Sequence, residues 1–397
     1  MSTAAAPDTA PAALRPRFPA RPPLSLYVHL PWCVRKCPYC DFNSYEARGR
    51  LPDDAYVDAL LRDLDAESAF AAERAVSSIF IGGGTPSLFS GHAITLLIDG
   101  IRSRLPVAAD AEITLEANPG AVEAERFADF VEAGVNRLSI GVQSFRDSQL
   151  GALGRVHDSA EAVRAVELAR RAGFTNVNVD LMYGLPGDDA AGALRDVELA
   201  AELAPTHISW YQLTLEPNTA FHRRPPSLPR DETIKEIEER GLESLRQHGY
   251  LRYEISAHAR EGFRCRHNLH YWRFGDYIGI GAGAHGKLTC PERGAILRRA
   301  KTRNPATYME RAGTPAAVGE ERVESPEQIV LEFMMNALRL TDGVDVDCFE
   351  RRTGQPRSVI AAAIADGVRR GWLHDCATVL KPTPRGLDVL NSVLLLF

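Results

Sequence analysis

The stretch YVHLPWCVRKCPYCDFNSY, residues 27–45, carries three of the chain's seven cysteines. Cys33, Cys37 and Cys40 follow an apolar run at residues 24–30 that predicts a β-strand, and their spacing is C-x3-C-x2-C. Three thiolates in one loop can hold three irons of a [4Fe–4S] cube and leave the fourth iron open, because fully coordinated clusters use four cysteines. The sequence therefore predicts a metal site at this loop.

Two other interpretations of the loop stay open at this point. A closed zinc site needs four ligands, and His29 would be the fourth. The three-residue gap and the aromatic Tyr39 fit zinc poorly. Three unrelated buried cysteines are disfavoured by their clustering. The other four cysteines are expected to be ordinary thiols, namely Cys265, Cys290, Cys348 and Cys376, with Cys265 the least certain because of its neighbours.

Outward from this loop, strand and helix patterns alternate. Predicted strands are 24–30, 76–84, 112–120, 136–145, 176–187, 207–215 and 250–256, and predicted helices are 53–70, 92–105, 122–134, 159–172, 194–203 and 231–249. At least six such repeats predict a parallel sheet with helices outside it. Because the polar candidate residues lie at the carboxyl ends of strands, we expect a TIM-like partial (β/α)6 barrel within an α/β fold.

The composition of the chain argues against several classes of protein, and its sequence pattern predicts the domain organisation. The 397 residues carry a net charge of −6, which argues against a general nucleic-acid binder. The sequence contains no apolar run of about 20 residues, so no membrane span is predicted. Its cysteines are sparse and odd in number, which disfavours a disulfide framework. We expect a disordered Ala/Pro-rich tail at 1–23, the barrel at 24–290, a linker at 291–324 and a C-terminal domain at 325–397. The expected location is the cytoplasm, because the tail has no apolar signal segment.

The last seventy residues have a different pattern. Ser325, Pro326 and Gln328 form a helix start with a cap, an N1 proline and a capping-box partner. A second helix is predicted at 356–371, followed by a short strand pair and a last helix. This order predicts a small winged-helix-like module. DNA binding by such a module is the alternative, although the chain is acidic and no basic recognition helix stands out.

Polar residues and glycines follow successive predicted strands. Singly, each has an ordinary explanation: a glycine run is most often a turn, and a strand-end carboxylate is often exposed. Together they form a candidate ligand site at one end of the barrel. Its members are Gly83, Gly84 and Thr85 following the second strand, Glu116 at the end of the third, Gln143 at the end of the fourth, Arg155 before a helix, and Asp180 at the end of the fifth.

A second candidate site is the segment HNLHYW at 267–272. His267 and His270 are good iron ligands when neutral, and Tyr271 and Trp272 offer flat faces that can stack on a porphyrin. The alternative is a packed Tyr-Trp pair with a capping amide at Asn268. Two further groups lie near this segment. Cys265 supplies a thiol two residues before it, and the glycine-rich DYIGIGAGAHGK at 276–287 contains His285.

The cysteine spacing, with Tyr39 before the last cysteine and GGGTPS at 82–87, resembles the radical S-adenosylmethionine (SAM) superfamily. The resemblance implies a [4Fe–4S] cluster whose open iron is chelated by SAM. It also implies SAM contacts for Tyr27, for the glycine motif with Thr85, and for the strand-end residues Glu116, Gln143, Arg155 and Asp180. Five polar residues in the family's order make this resemblance specific.

Within that superfamily, the chain from Tyr27 onward is similar to the oxygen-independent coproporphyrinogen III oxidase group. The oxidase branch has a fourth cysteine where this chain has Phe42, and a longer folded extension where this chain has its tail. The HemW-type haem-chaperone branch has C-D-F, WYQLT-x-EP-x-T and H-N-x-x-Y-W, and this chain matches all three motifs. Its glycine loop departs from the group, since Gly286 stands where a serine is common.

The chaperone resemblance implies haem as a third ligand, held by His267, Asn268, Tyr271 and Trp272. It implies transfer of haem to apo-haemoproteins, expected to be respiratory and membrane-associated, without coproporphyrinogen oxidase turnover. A reductant such as a flavodoxin or ferredoxin and a homodimer are further expected partners, with no nucleic acid. One alternative is an oxidase that decarboxylates two propionates of coproporphyrinogen III. A winged-helix regulator with the cluster as redox sensor is the other.

Overall fold

The computed structural model of the protein describes residues 16–120 and 125–397. Sixteen strands lie in these residues: β1 Leu24–Leu30, β2 Trp32–Cys33, β3 Tyr45–Glu46, β4 Val76–Gly83, β5 Val107–Ala117, β6 Arg137–Gln143, β7 Val177–Tyr183, β8 His207–Gln212, β9 Leu251–Glu254, β10 Ala257–Ala259, β11 Asp276–Ile280, β12 His285–Cys290, β13 Ala295–Lys301, β14 Val318–Val323, β15 Val344–Asp345 and β16 Val379–Leu380. Twelve of them form one mixed sheet in the order β14-β13-β12-β11-β1-β4-β5-β6-β7-β8-β10-β9.

Helices connect and cover these strands. The α-helices of the described residues are Asp53–Glu67, Gly91–Arg102, Phe127–Glu132, Asp147–Ala152, Ser159–Arg171, Ala190–Glu202, Ala220–Arg223, Asp231–Gln247, Arg266–Trp272, Pro305–Arg311, Pro326–Ala337, Val346–Thr353, Ala361–Arg369, Pro384–Asp388 and Leu390–Leu394. Short 3₁₀ turns occur at Ser68–Ala71, Pro86–Leu88, Pro291–Arg293, Pro315–Ala317 and Arg357–Val359. None of these helices is both long and apolar enough to cross a bilayer.

The predicted partial barrel is confirmed. Strands β1, β4, β5, β6, β7 and β8 pair in parallel and in chain order, with helices between them. Their apolar runs are buried on both faces, as parallel strands require. The predicted capping box at Asp158 and Glu161 also forms. The predicted helix at 122–134 is observed at Phe127–Glu132. Residues 122–124 of that prediction lie outside the described residues.

The sheet continues beyond the barrel in the segment expected to be a linker. Within 291–324 the chain forms β13, the helix Pro305–Arg311 and β14, which extend the sheet by antiparallel pairing. A buried ion cluster attaches β13 to the barrel: Lys301 contacts Asp63 at 2.6 Å and Glu67 at 2.5 Å. The sequence pattern did not reveal this attachment, because the partners of Lys301 lie more than 200 residues away along the chain.

The end of the predicted tail is ordered against the C-terminal module. Phe18 is buried in that module's core, and the Arg17 amide donates to the Gly354 carbonyl at 2.7 Å. Arg21 forms an ion pair with Glu292 at 2.8 Å. Residues 16–23 therefore contact folded parts of the chain, whereas residues 1–15, also predicted to be disordered, lie outside the described residues.

The C-terminal module contains the predicted helices and a strand pair, but it also has a helix, Val346–Thr353, that the sequence did not predict. Its first helix begins with the capping box of Ser325 and Gln328. Four more α-helices follow, and β15, which precedes the first of them, pairs with β16 to form a two-stranded sheet. Phe274 is buried in this module's core, and Trp272 packs against it. The helix Arg266–Trp272 thus joins the barrel to the module.

Candidate functional site

The three clustered cysteines line one cavity at the carboxyl end of the barrel strands. Cys33 is buried on β2, while Cys37 and Cys40 are half-buried in the following loop. This cavity, here called the cluster cavity, has a volume of about 320 Å³. Burial raises the pKa of Cys33 to about 11 and also raises the pKa of Cys40. A bound metal would offset that cost, because a coordinating thiol loses its proton.

The donor set fits a polynuclear cluster better than a single zinc ion. Among the described residues, no three His, Cys, Asp or Glu side chains converge closely enough to bind one metal ion. Both ring nitrogens of His29 are engaged, one with the Tyr27 hydroxyl and one with the Asn43 carbonyl, each at 2.9 Å. The histidine that zinc would need is therefore held elsewhere, while three thiols surround a cavity with room for a larger group.

The glycine motif forms the wall of the cluster cavity next to the cysteines. Gly83 has φ of +117°, which a side chain would strain. A Cβ at Gly84 would lie 2.5 Å from the Trp32 carbonyl oxygen, so only glycine lets these two segments pack. Thr85 is buried, and its hydroxyl accepts a hydrogen bond from the Asn118 amide at 2.9 Å. The motif thus brings backbone, rather than side chains, to the cavity.

Two carboxylates on β5 and β7 face the same cavity. The Gly83 amide donates to Glu116 at 3.0 Å. Burial, together with the nearby Asp180, raises the pKa of Glu116 to about 7. Asp180 accepts hydrogen bonds from Ser139 at 3.0 Å and Asn178 at 2.8 Å, and burial raises its pKa. A cation or a pair of hydroxyl groups in the cavity would relieve the cost of two buried carboxyls.

Arg155 is held rigidly beside the cysteines. Its guanidinium donates to the Asn118 side chain at 2.7 Å and to the Gly141 carbonyl at 2.6 Å, and it lies 3.6 Å from the Cys37 sulfur. The Arg155 Nε is buried and has no hydrogen-bond partner among the described residues. An unpaired charged donor of this kind is costly to bury, so it suits an anionic ligand such as a carboxylate.

Gln143 adopts a left-handed backbone conformation at the end of β6, with φ of +72°. Its side-chain oxygen accepts a hydrogen bond from the Tyr211 hydroxyl at 2.8 Å. Such a conformation costs energy in a residue with a side chain and is retained where surrounding contacts require it. This hydrogen bond connects the end of β6 to β8 at the wall of the cluster cavity.

The structure brings the predicted ligand residues together with one exception. The cluster cavity is lined by Cys33, Cys37, Cys40, Gly83, Gly84, Thr85, Glu116, Gln143, Arg155 and Asp180. Tyr27 lies in the adjoining cavity instead. Four lining residues with polar side chains were not singled out from the sequence, namely Asn118, Ser139, Ser209 and Tyr211. Asn118 directly follows β5 and Tyr211 is the last residue but one of β8, whereas Ser139 and Ser209 lie earlier in β6 and β8. Tyr211 belongs to the quoted WYQLT motif, which was the available signal.

A larger cavity, here called the second cavity, adjoins the cluster cavity. Its volume is about 640 Å³, within the roughly 300–1,000 Å³ typical of cofactor and ligand pockets. The two cavities share Phe42, Gly83 and Glu116 as lining residues. Tyr271 and Tyr277 form an aromatic pair on its wall, with ring centroids 4.5 Å apart. The far wall comes from β12, β13 and the start of β14, the extension beyond the barrel.

The HNLHYW segment forms the helix Arg266–Trp272, and its residues face different surroundings. His267 is buried, and its Nδ1 lies 3.0 Å from the Ser78 hydroxyl. His270 Nε2 lies 2.6 Å from the Asp276 carbonyl oxygen. Trp272 packs under the Arg339 guanidinium, and Asn268 is half-buried. Tyr271 is the member of this segment that lines the second cavity.

Cys265 is buried beside this helix. Its sulfur lies 3.4 Å from a Glu112 carboxylate oxygen, and burial raises the pKa of the thiol to about 12. Cys265 lines neither the cluster cavity nor the second cavity, so the structure does not bring this thiol to a ligand site. Cys290 and Cys348 are also buried, and Cys376 is exposed.

Comparisons with known proteins agree with this geometry. The model of the radical SAM superfamily matches residues 27–200, and that of the HemN C-terminal domain matches residues 325–389. Among solved structures, coproporphyrinogen III oxidase HemN from Escherichia coli, a radical SAM enzyme, aligns with a TM-score of 0.79 and 23% identity, covering 95% of this chain and 90% of that one. This likeness establishes the fold. The fold and the three-cysteine cavity therefore define a radical SAM protein, a class that implies a [4Fe–4S] cluster and SAM.

Sequence relatives narrow the class to one family. "Heme chaperone HemW" of Escherichia coli is 52% identical over 95% of this chain and 98% of that protein. "Heme chaperone HemW" of Haemophilus influenzae is 47% identical over 96% of this chain and 99% of that protein. A mitochondrial protein of Bos taurus, radical S-adenosyl methionine domain-containing protein 1, is 36% identical over 94% of this chain and 86% of that one. The chain belongs to the HemW family.

Proposed function

We propose that this protein is a haem chaperone, which binds haem and passes it to apo-haemoproteins. The observation that carries the proposal is the 52% identity to a curated heme chaperone over nearly the whole of both chains. A second observation supports it, since a large cavity with aromatic walls adjoins the cluster cavity. The proposed recipients are respiratory, membrane-associated haemoproteins met from the cytoplasmic side.

The residues of the cluster cavity divide into two proposed tasks. Cys33, Cys37 and Cys40 would hold the [4Fe–4S] cluster, which when bound supplies an electron to SAM. Around it, Glu116 would accept the SAM ammonium group and Arg155 would bind the SAM carboxylate as a bidentate fork. Asp180 would hold ribose hydroxyls. The glycine motif, Thr85 and Gln143 would shape the cavity around the amino-acid part, and Tyr27 would contact SAM from the second cavity.

Haem is proposed to occupy the second cavity. The sequence favoured the HNLHYW segment as the haem site, and Tyr271 provides its link to this cavity. His267 is enclosed by the protein, with its Nδ1 held by Ser78. Asn268 and Trp272 are proposed to act indirectly, by fixing the helix that presents Tyr271. His270 would hold the same helix through its contact with the Asp276 carbonyl.

Phe42 distinguishes this chain from the branch that oxidises coproporphyrinogen III. It stands where the oxidase branch has a fourth cysteine, and its side chain is 58% exposed at the boundary of both cavities. The structural likeness to HemN favours the oxidase as the second candidate function. Incubation with coproporphyrinogen III, SAM and a reductant discriminates the two, because protoporphyrinogen would form only if the chain is an oxidase.

The chaperone proposal is tested by haem transfer. The cluster is reconstituted anaerobically, haem is added, and transfer to an apo-cytochrome is followed by the cytochrome's absorption spectrum. Transfer above the spontaneous rate is expected, with SAM and a flavodoxin or ferredoxin tested for stimulation. Gel filtration of the loaded protein tests the proposed homodimer. Absence of haem binding by the unaltered chain would refute the chaperone proposal.

The proposed cluster is tested separately by iron and sulfide analysis. Cys37→Ser should lose the bound iron, and Cys376→Ser is the matched control because that exposed cysteine lies outside the cavity. Four irons per chain in the control, with an anaerobic absorption spectrum typical of a cluster, are expected. One zinc per chain would refute the site.

A further inference from the structure

The second cavity contains two histidines in different states. His29 is buried, and both its ring nitrogens are within 2.9 Å of oxygen partners. His285, the first residue of β12, is exposed to the cavity, and no hydrogen bond to its ring is found among the described residues. The loop from Gly281 to Gly283 precedes it, with positive φ at both glycines. His285 is therefore the cavity histidine with a free nitrogen.

The surroundings of His285 favour the neutral form of its ring. Partial burial lowers its pKa, and the nearby guanidinium groups of Arg298 and Arg303 lower it further. Glu320 acts in the opposite direction. A neutral imidazole is the form that ligates haem iron. Tyr277 lines the same cavity and pairs with Tyr271 at an angle of 60° between the rings, which gives the cavity an aromatic wall.

A cationic group lies at the exposed edge of the same cavity. Arg303 lines the cavity and has no carboxylate within ion-pair distance among the described residues. Its Nε donates a long hydrogen bond to the Asn43 side-chain oxygen at 3.4 Å. Lys301, by contrast, is already neutralised by two carboxylates. An exposed, unpaired guanidinium can bind a carboxylate as a fork, and haem carries two propionates.

We infer that His285 ligates the haem iron in the second cavity and that Arg303 binds a haem propionate at its edge. This inference rests on the proposed haem-binding function and assigns the parts of that site. The iron would bond to an imidazole nitrogen of His285, and Tyr271 and Tyr277 would form the aromatic wall around the porphyrin. The buried His267 would then support the helix without touching the iron.

The test of His285 is a titration with ferric haem, followed by absorption and resonance Raman spectra. In His285→Gly, the wild-type Soret band and iron–histidine signature should be lost and the Kd for haem should rise about tenfold or more, or at least 1.4 kcal/mol. Added imidazole should restore the wild-type spectrum by filling the space left. His92→Ala is the matched control, because that exposed histidine lies on another face.

The test of Arg303 uses haem with and without free propionates. Arg303→Gln should weaken binding of haem by about tenfold, and both chains should bind haem dimethyl ester equally. An unchanged Soret band and Kd in His285→Gly would overturn the inference for the iron ligand. Equal loss of haem and ester binding in Arg303→Gln would overturn the propionate contact. Failure of the unaltered chain to bind haem would instead refute the proposed function.

Discussion

Glu116→Gln should make the chain more stable while removing SAM binding. The Glu116 carboxyl is buried and its pKa is raised from 4.5 to about 7. The folded state therefore holds this proton more tightly than the unfolded state, and unfolding becomes easier as pH rises from about 4.5 to 7. Each pKa unit corresponds to about 1.36 kcal/mol, so ionisation of the buried carboxyl lowers the free energy of unfolding by about 3 kcal/mol at neutral pH. Glutamine has nothing to ionise and avoids that cost.

The assay compares the free energy of unfolding of the two chains, each loaded with its cluster and without SAM, at several pH values. Near pH 4.5 the difference should be small. It should then grow in favour of Glu116→Gln up to about pH 7, toward about 3 kcal/mol, and level off above. Comparing two chains cancels the pH dependence of every other group. A difference that does not change with pH would refute the assignment of a costly buried carboxylate.

The same group predicts the pH dependence of ligand binding. A SAM ammonium binds the ionised form of Glu116, so the wild-type chain should bind SAM about tenfold more tightly at pH 8 than at pH 6. The Glu116→Gln chain should bind weakly at both pH values. Isothermal titration under anaerobic conditions measures both. Tight, pH-independent binding by the variant would contradict the proposed role.

Three further predictions concern stability and SAM binding. Lys301→Met should lower the free energy of unfolding by about 3–5 kcal/mol, because two buried carboxylates lose their partner; urea denaturation checks it. Gly241→Ala should cost about 1–3 kcal/mol, because the added Cβ would overlap the Trp210 ring, whereas Gly151→Ala, with open space around it, should cost less in thermal melts. Arg155→Lys should weaken SAM binding by about tenfold with unchanged iron content, because lysine lacks the fork.

The cluster cavity was predictable because its parts are local. Glu116 and Gln143 lie at the carboxyl ends of β5 and β6, and Asp180 lies within the neighbouring β7. All strands of a parallel sheet end on the same side. A pattern of strand ends therefore specifies neighbours in space without any knowledge of side-chain contacts. The WYQLT motif was the only sequence signal for Tyr211, and no local pattern distinguishes the cavity-lining amide of Asn118 from that of an ordinary surface residue.

The second cavity could not be predicted in the same way. Its far wall depends on β13 and β14, which pair in antiparallel fashion beyond the barrel. Their position is held by Lys301 and its partners on a helix more than 230 residues earlier. Long-range pairs of this kind leave no periodic signal. The two histidines of HNLHYW illustrate the same limit, since the motif does not tell which face of the short helix is covered by Ser78 and β4.

The shared wall of the two cavities has a thermodynamic consequence. Glu116, Gly83 and Phe42 belong to both cavities, so an occupant of either one contacts groups that the other occupant also contacts. If the first ligand alters the dissociation constant of the second by some factor, the second must alter that of the first by the same factor. The effect of bound SAM on the dissociation constant of haem can therefore be measured in two ways, by titrating haem with and without SAM or by titrating SAM with and without haem.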